Sequence, residues 1–243
     1  MSEIIGEIVN QEQGSLAVTT PLSGTLTRFA GLCDLKIRAR SRVEIIGAGA
    51  LGGWLALGLA KSGIGRLRVW DFDTVDAVNV GVQPYGARDI GQAKVTALGS
   101  RCSDWSGGLL AYHFVAGRFG SPESPGLWGA DVTVSAVDSV EGRRLVFDAW
   151  KHLGCPGLFL DLRMAATEGE VWTAQAGRLR AYESALRSLE TAGASVAPCT
   201  ARGTAHNAMV IGGFGASVAL RWIDNGDCGG TCLAVDMKGG ASW

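Results

Sequence analysis

The chain has 243 residues, 47% hydrophobic and 19% charged, with 22 Lys and Arg against 23 Asp and Glu for a net charge of −1. That composition supports a buried core and excludes a disordered chain. The charge balance leaves no electrostatic footprint for nucleic acid or an anionic membrane surface. The start, MSEIIGEIVNQEQG, shows neither a basic segment nor a long apolar core, so no secretory signal is visible. The longest apolar run, Ala208 to Leu220, is glycine-rich and too short to span a bilayer. A cytoplasmic protein is expected. Its six cysteines (Cys33, Cys102, Cys155, Cys199, Cys228, Cys232) then read as reduced thiols, metal ligands or reactive groups, not a disulfide framework.

Residues 1–40 show no strong period and are read as a loose N-terminal arm leading into a short helix near Leu26–Arg38, and residues 41–243 are read as a single domain. From Arg42 strands and helices alternate. The pattern predicts a strand over 42–47, a helix over 50–62, a strand over 66–71, a helix from Gly91 to Cys102 and a strand near Leu110–Val115. The Pro/Gly/Ser-rich stretch Gly117–Gly129 reads as a loop before a strand over Asp131–Ala136. A helix over Val140–Leu153 and a strand near Gly157–Leu162 follow, then antiparallel strands at Met164–Gln175 and Arg178–Tyr182. Ser184–Arg202 reads as a polar surface crossover, Thr204–Ile223 as a closing helix, and the remainder as a Gly-rich tail. The alternation predicts an α/β fold: a Rossmann-like, doubly wound, mostly parallel sheet with helices on both faces and some antiparallel strands toward the C-terminus.

Gly47-Ala48-Gly49-Ala50-Leu51-Gly52 matches G-x-G-x-x-G between a strand and a helix. The first two glycines permit a tight turn and close approach of phosphates, the third close helix–strand packing. Asp71, at the end of the next strand, is placed to accept from a ribose hydroxyl. These features alone also fit an NAD-dependent oxidoreductase, so they name a nucleotide and not a reaction.

The residues that follow resemble the activating-enzyme superfamily that includes ThiF, MoeB, HesA and the ubiquitin-activating enzymes. Asp71-Phe72-Asp73-Thr74-Val75 resembles its D-x-D-x-V, Asn79 and Gln83 its N-x-x-R-Q, and Gly91-Gln92-Ala93-Lys94 its G-x-x-K. Ser135-Ala136-Val137-Asp138-Ser139 resembles its D-x-T-D-N segment, with Arg143 or Arg144 at the start of the next helix. The resemblance runs from about Arg28 to Ile223. It implies Mg-ATP-dependent adenylation of a C-terminal carboxylate, a step dominated by positioning and charge neutralisation. In that reading Gly47, Gly49, Ala50, Leu51, Gly52 and Val137 line the nucleotide, Asp71 takes the ribose, and Asp73, Asn79 and Gln83 bond around it. Lys94 would serve the triphosphate as a compact cation, and Asp138 would hold Mg²⁺ through oxygen. Arg28 resembles the N-terminal Arg that family dimers present to the partner's ATP, so a homodimer is implied. The implied substrate is a small ubiquitin-like or sulfur-carrier protein ending in Gly-Gly, with a short peptide or a modified tRNA nucleoside as other types. The next acceptor would be Cys199, a separate sulfurtransferase or a conjugating enzyme.

Two departures stand out. The Arg of N-x-x-R-Q is Val82 here, with Arg88 six residues on as a substitute if its loop bends inward. The paired C-x-x-C motifs for zinc are missing. Cys228-Gly-Gly-Thr-Cys232 is a lone C-x₃-C pair, so no zinc site is expected. Cys199 sits in Ala197-Pro198-Cys199-Thr200-Ala201-Arg202 before the last helix. There it is either a catalytic thiol, activated by Arg202 and the helix end, or an ordinary loop cysteine. His206 reads as structural. An NAD-dependent oxidoreductase and a catalytically impaired ATP-binding scaffold remain the alternatives, and Val82 favours the second.

Overall fold

A computed structural model describes residues 26–29, 31–106, 111–122, 124, 126–192, 203–237 and 240–242. Eight strands form one sheet: β1 (Arg42–Ile46), β2 (Arg66–Asp71), β3 (Ala111–Ala116), β4 (Val132–Ser135), β5 (Leu158–Ala165), β6 (Glu168–Gln175), β7 (Cys232–Asp236) and β8 (Gly240–Ser242). Their order is β3-β2-β1-β4-β5-β6-β7-β8. The pairs from β3 through β5 are parallel, and β5 to β8 pair antiparallel. Chain order runs outward from β1 to β2 and β3 on one side and restarts at β4 on the other. The boundary between β1 and β4 is therefore the switch point at which doubly wound sheets bind ligands.

Among the described residues, six α-helices flank the strands: α1 (Leu35–Arg40), α2 (Ala50–Lys61), α3 (Lys94–Ser106), α4 (Val140–His152), α5 (Arg180–Thr191) and α6 (Ala205–Asn225). Val43, Ile45, Val132, Val134, Leu158, Leu160 and Leu162 point to one face of the sheet, where α2, α3 and α6 cover them. A Cβ at Gly212 or Gly215 would press on the α2 residues Trp54 and Leu55; side-chain-free positions let α6 lie against α2. Ile46, Trp70, Phe159, Phe147, Trp150 and Tyr182 form the second core, on the face carrying α4 and α5. Alternate strand residues thus serve opposite cores, as the two-residue period of a strand dictates.

The second face also buries charge. Glu44 and Arg68, adjacent across β1 and β2, form an ion pair, and the Trp70 indole N–H donates to Glu44 at 2.9 Å. Glu44 also accepts from the Trp128 backbone N–H at 2.8 Å, and Arg68 donates to the Gly126 carbonyl. The pair stitches part of the Gly117–Gly129 loop onto the sheet. Arg38 of α1 donates to Asp224 of α6 at 2.6 Å, which ties α1 to the domain.

The parallel core matches the expected alternation, and three segments differ. Arg180–Thr191 is helical, not the strand and polar crossover expected there. Tyr182, Leu186 and Leu189 fall on one helical stripe against α4 and β6, with polar residues on the other sides. The Gly-rich tail supplies β7 and β8. Leu233 and Val235 point inward and Ala234 outward, and β6 provides the hydrogen bonds. The helix expected over Leu26–Arg38 is a 3₁₀ turn at Thr27–Phe29 followed by α1, which Asp34 caps by accepting from the Lys36 N–H at 2.8 Å. Among the described residues, no helix is long and apolar enough to cross a membrane.

Candidate functional site

A cleft of about 370 Å³ opens at the C-terminal ends of β1, β2, β3 and β4. Its floor is the glycine turn. Gly47 has φ +105, a left-handed region that L side chains rarely adopt. A Cβ on Gly52 would overlap the Gly47 carbonyl oxygen, so helix α2 can close on the turn only with glycine there. Gly49 caps α2, and a Cβ on it would meet nothing within 4 Å. Above Gly49 lies the positive end of a 12-residue helix, whose first N–H groups have no intrahelical acceptor. Gly49→Ala is therefore expected to fold with wild-type stability and to weaken phosphate binding. Gly52→Ala is expected to cost about 1–3 kcal/mol of stability as well; thermal melts with and without nucleotide separate the two effects.

Asp71 closes β2 beside this turn. Its carboxylate accepts from the Ala48 N–H at 2.7 Å and the Asp73 N–H at 2.8 Å. Burial pushes its pKa up, and the two N–H donors and the charge of Lys94 oppose that rise. Each carboxylate oxygen has a second lone pair for a hydroxyl donor. The Tyr85 hydroxyl, which no motif singled out, donates to the Ala48 carbonyl at 2.5 Å and lies 3.3 Å from the Lys94 carbonyl. It ties the glycine turn to α3.

A short antiparallel pairing delivers Lys94. Val75 N–H donates to the Gln92 carbonyl, Gly91 N–H to the Val75 carbonyl, and Lys94 N–H to the Asp73 carbonyl, all at 2.8–2.9 Å. This sets Lys94 at the first position of α3, with its ammonium 2.7 Å from Asp73. Asn79 and Gln83 are buried in the same wall; Asn79 accepts from the Asp76 N–H, and the Gln83 N–H donates to the Asn79 carbonyl, each at 2.8 Å. The Gln83 side-chain oxygen has no partner among the described residues. A buried acceptor lining a cleft is suited to a donor that arrives with a ligand.

On the other side of the switch point, Val137, exposed Asp138 and Ser139 line the cleft after β4. Ser139 caps α4 by accepting from the Gly142 N–H at 3.1 Å. No group of three or more His, Cys, Asp or Glu forms a metal cluster among the described residues. Asp138 alone suits a hard cation that also takes phosphate and water oxygens.

The cleft thus brings together Gly47, Gly49, Ala50, Leu51, Asp71, Asp73, Asn79, Gln83, Lys94, Val137 and Asp138, with Gly52 packed beneath. Val82 lines it too, its carbonyl accepting from the Trp54 indole at 3.1 Å. Arg88 is exposed on the 3₁₀ turn Ala87–Asp89 and is not among the lining residues, so its loop does not bend inward here. Arg28 is exposed on its own 3₁₀ turn and does not line the cleft of its own chain. Arg143 is buried against Asp161, and Arg144 pairs with Glu190 of α5 at 2.7 Å. Cys199 and Arg202 lie outside the described residues. Cys228 is buried and Cys232 opens β7, where burial pushes the Cys232 thiol up to about 11. His206 lies at the start of α6, its Nε2 3.3 Å from the Thr204 hydroxyl. Sequence reasoning missed Arg118, which enters the cleft from the end of β3.

The comparisons agree with the fold. The model of the ThiF family matches residues 25–237. The chain is similar to the adenylyltransferase and sulfurtransferase MOCS3-1 of Zea mays, 30% identical over 121 residues, 49% of this chain and 25% of that one. It is also similar to the tRNA threonylcarbamoyladenosine dehydratase of Bacillus subtilis, 39% identical over 75 residues, 30% of this chain and 28% of that one. The chain thus spans about a quarter of the length of these curated relatives. Among solved structures, E. coli MccB crystallised with ATP superposes with a TM-score of 0.69 at 15% identity, over 86% of this chain and 64% of that one. PaaA superposes at 0.68 and 16% identity, over 99% of this chain and 79% of that one. At those identities the structures establish the fold alone. The family model spans nearly the whole described chain: the protein belongs to the ThiF family.

Proposed function

We propose that the chain binds Mg-ATP in this cleft and adenylates a C-terminal carboxylate. A carboxylate oxygen attacks the α-phosphorus, a new P–O bond forms, the bond to the β-phosphate oxygen breaks, and pyrophosphate leaves. One observation carries the reading: three charged groups with three separate tasks converge on one cleft, Asp71 for ribose, Lys94 for phosphate and Asp138 for the metal. An oxidoreductase would use the first and has no need of the other two. The residues fit the nucleotide, since Gly49 leaves open space at a helix N-terminus and the buried Gln83 oxygen awaits a donor. Mg²⁺ would neutralise phosphate charge, held by Asp138. The substrate that fits the family best is a small ubiquitin-like or sulfur-carrier protein ending in Gly-Gly, with a short peptide as the alternative. A cytoplasmic homodimer contributing Arg28 across its interface, a domain over 41–243, and Cys199 as a later acceptor belong to the same proposal.

ATP–pyrophosphate exchange tests it, run with small Gly-Gly-ending proteins and their isolated C-terminal peptides. Exchange with one of these would support adenylation; tight NAD binding without ATP binding would sink it. Val82 supports a second reading, an ATP-binding scaffold without turnover. Because Val82 already lines the cleft, Val82→Arg would add a charge-assisted bond to phosphate. It is expected to raise exchange by about tenfold, the worth of one such bond. ATP binding with no exchange in either form would favour the scaffold.

A further inference from the structure

Beyond Asp71 the cleft ends on a pair that no motif announces. Arg118 follows β3 by two residues, is exposed, and holds its guanidinium carbon 4.0 Å from the centroid of the Phe72 ring. Both residues line the cleft. Phe72 is 55% exposed. Arg118 forms no ion pair with a carboxylate of the described residues. At the open end of a ligand cleft, its cation thus rests on a ring face.

Strand order says which part of a nucleotide falls there. The glycine turn follows β1, Asp71 ends β2, and Arg118 follows β3, and these strands lie side by side in the order β3-β2-β1. The Gly117 N–H donates to the Asp71 carbonyl at 3.1 Å, which holds the start of this segment against the end of β2. With phosphates at the helix N-terminus and ribose on the carboxylate, the next group outward is the base. Resting on the nucleotide reading above, we infer that Arg118 and Phe72 form a stacking clamp for the nucleobase. A guanidinium is planar and weakly hydrated. Phe72 covers one of its faces, and the other takes the π-face of a base by dispersion and cation–π attraction. Such a clamp reads the size of the ring system more than its hydrogen-bonding edge. It favours purines over pyrimidines and separates adenine from guanine poorly.

Titration calorimetry of the whole chain with ATP, AMP, UTP and inorganic tripolyphosphate, in magnesium buffer, tests the clamp. Arg118→Ala and Phe72→Ala are each expected to weaken ATP and AMP by about fivefold to thirtyfold, with tripolyphosphate unchanged within about twofold. Wild type is expected to prefer ATP to UTP. An equal loss of tripolyphosphate on Arg118→Ala would overturn the proposal and make Arg118 a phosphate cation in place of Val82. Unchanged ATP and AMP affinity in both variants would overturn it as well, with tripolyphosphate binding the check that the site is folded. Adenylation fails separately: the expected base effects without pyrophosphate exchange would keep the clamp and remove the reaction. A wild-type chain that binds no nucleotide removes both.

Discussion

Replacing Lys94 by Ala is expected to lower kcat/KM for ATP in pyrophosphate exchange by about 100-fold to 1,000-fold, the scale for removing one preorganised donor from developing negative charge. The Lys94 side chain is 8% exposed, whereas its partner Asp73 is 49% exposed. A desolvated ammonium beside a solvated carboxylate is an asymmetric pair. Water already screens Asp73, so its hold on Lys94 is modest, and a triphosphate with several charges would compete for the same cation. The fold should tolerate the change, since Asp73 is left in solvent and the Val75, Gly91 and Lys94 backbone bonds remain. A melting temperature near that of wild type would confirm that the loss is functional. Lys94→Arg is not expected to rescue, because the fork of a guanidinium does not fit where one compact charge sits at the first turn of α3. Exchange that persists in Lys94→Ala would remove this residue from the phosphate site. Asp138→Ala extends the test across the cleft. It is expected to raise the magnesium concentration needed for half-maximal exchange while leaving the affinity for metal-free AMP in place.

Whatever was carried by short-range pattern was legible before the structure. The turn Gly47–Gly52 needs only its neighbours to be recognised, Asp71 stands at a separation set by one helix and one strand, and Lys94 was singled out by the resemblance of Gly91-Gln92-Ala93-Lys94 to the family's G-x-x-K. Arg118 was illegible for the opposite reason. It sits in a Pro/Gly/Ser-rich stretch with no period, and only the side-by-side packing of β3 and β2 brings it to the cleft. Helix α5 carries just three inward apolar residues, Tyr182, Leu186 and Leu189, among polar ones. That stripe is thin enough for the polar majority to read as loop. Strand β7 did show a two-residue period, but glycines flank it and its partner β6 lies far back in the chain. That Arg143 and not Arg144 turns toward the core was decidable from helical spacing. Arg143 shares its stripe with Val140, Val146, Phe147 and Trp150, all buried, and Arg144 does not.

That stripe leads to the largest stability effect expected in this molecule. Asp161 on β5 is fully buried and meets two guanidinium groups: Arg143 from α4, 5% exposed, and Arg163 from its own strand at 2.7 Å, 13% exposed. Arg143 also donates to the Leu162 carbonyl at 2.9 Å, and Arg163 lies 3.5 Å from Glu170 on β6. Asp161→Leu would leave two positive groups facing each other under α4 and α5, and is expected to cost about 3–5 kcal/mol, the penalty for breaking a buried pair from one side. For a chain of this size that lowers Tm by about 6–20 °C. Arg143→Met should cost less, since Asp161 keeps Arg163, and the double variant should cost less than the sum of the two singles. The consequence reaches the site. Arg143 pins α4 to β5, and the first turn of α4 carries the Ser139 cap directly after Asp138. Loosening that anchor should therefore weaken magnesium-dependent ATP binding more than binding of AMP, measured below the unfolding transition. A cooperative melt within 1 kcal/mol of wild type for Asp161→Leu would mean that water reaches the arginines, and that packing of Phe147, Trp150 and Phe159 alone holds the helix.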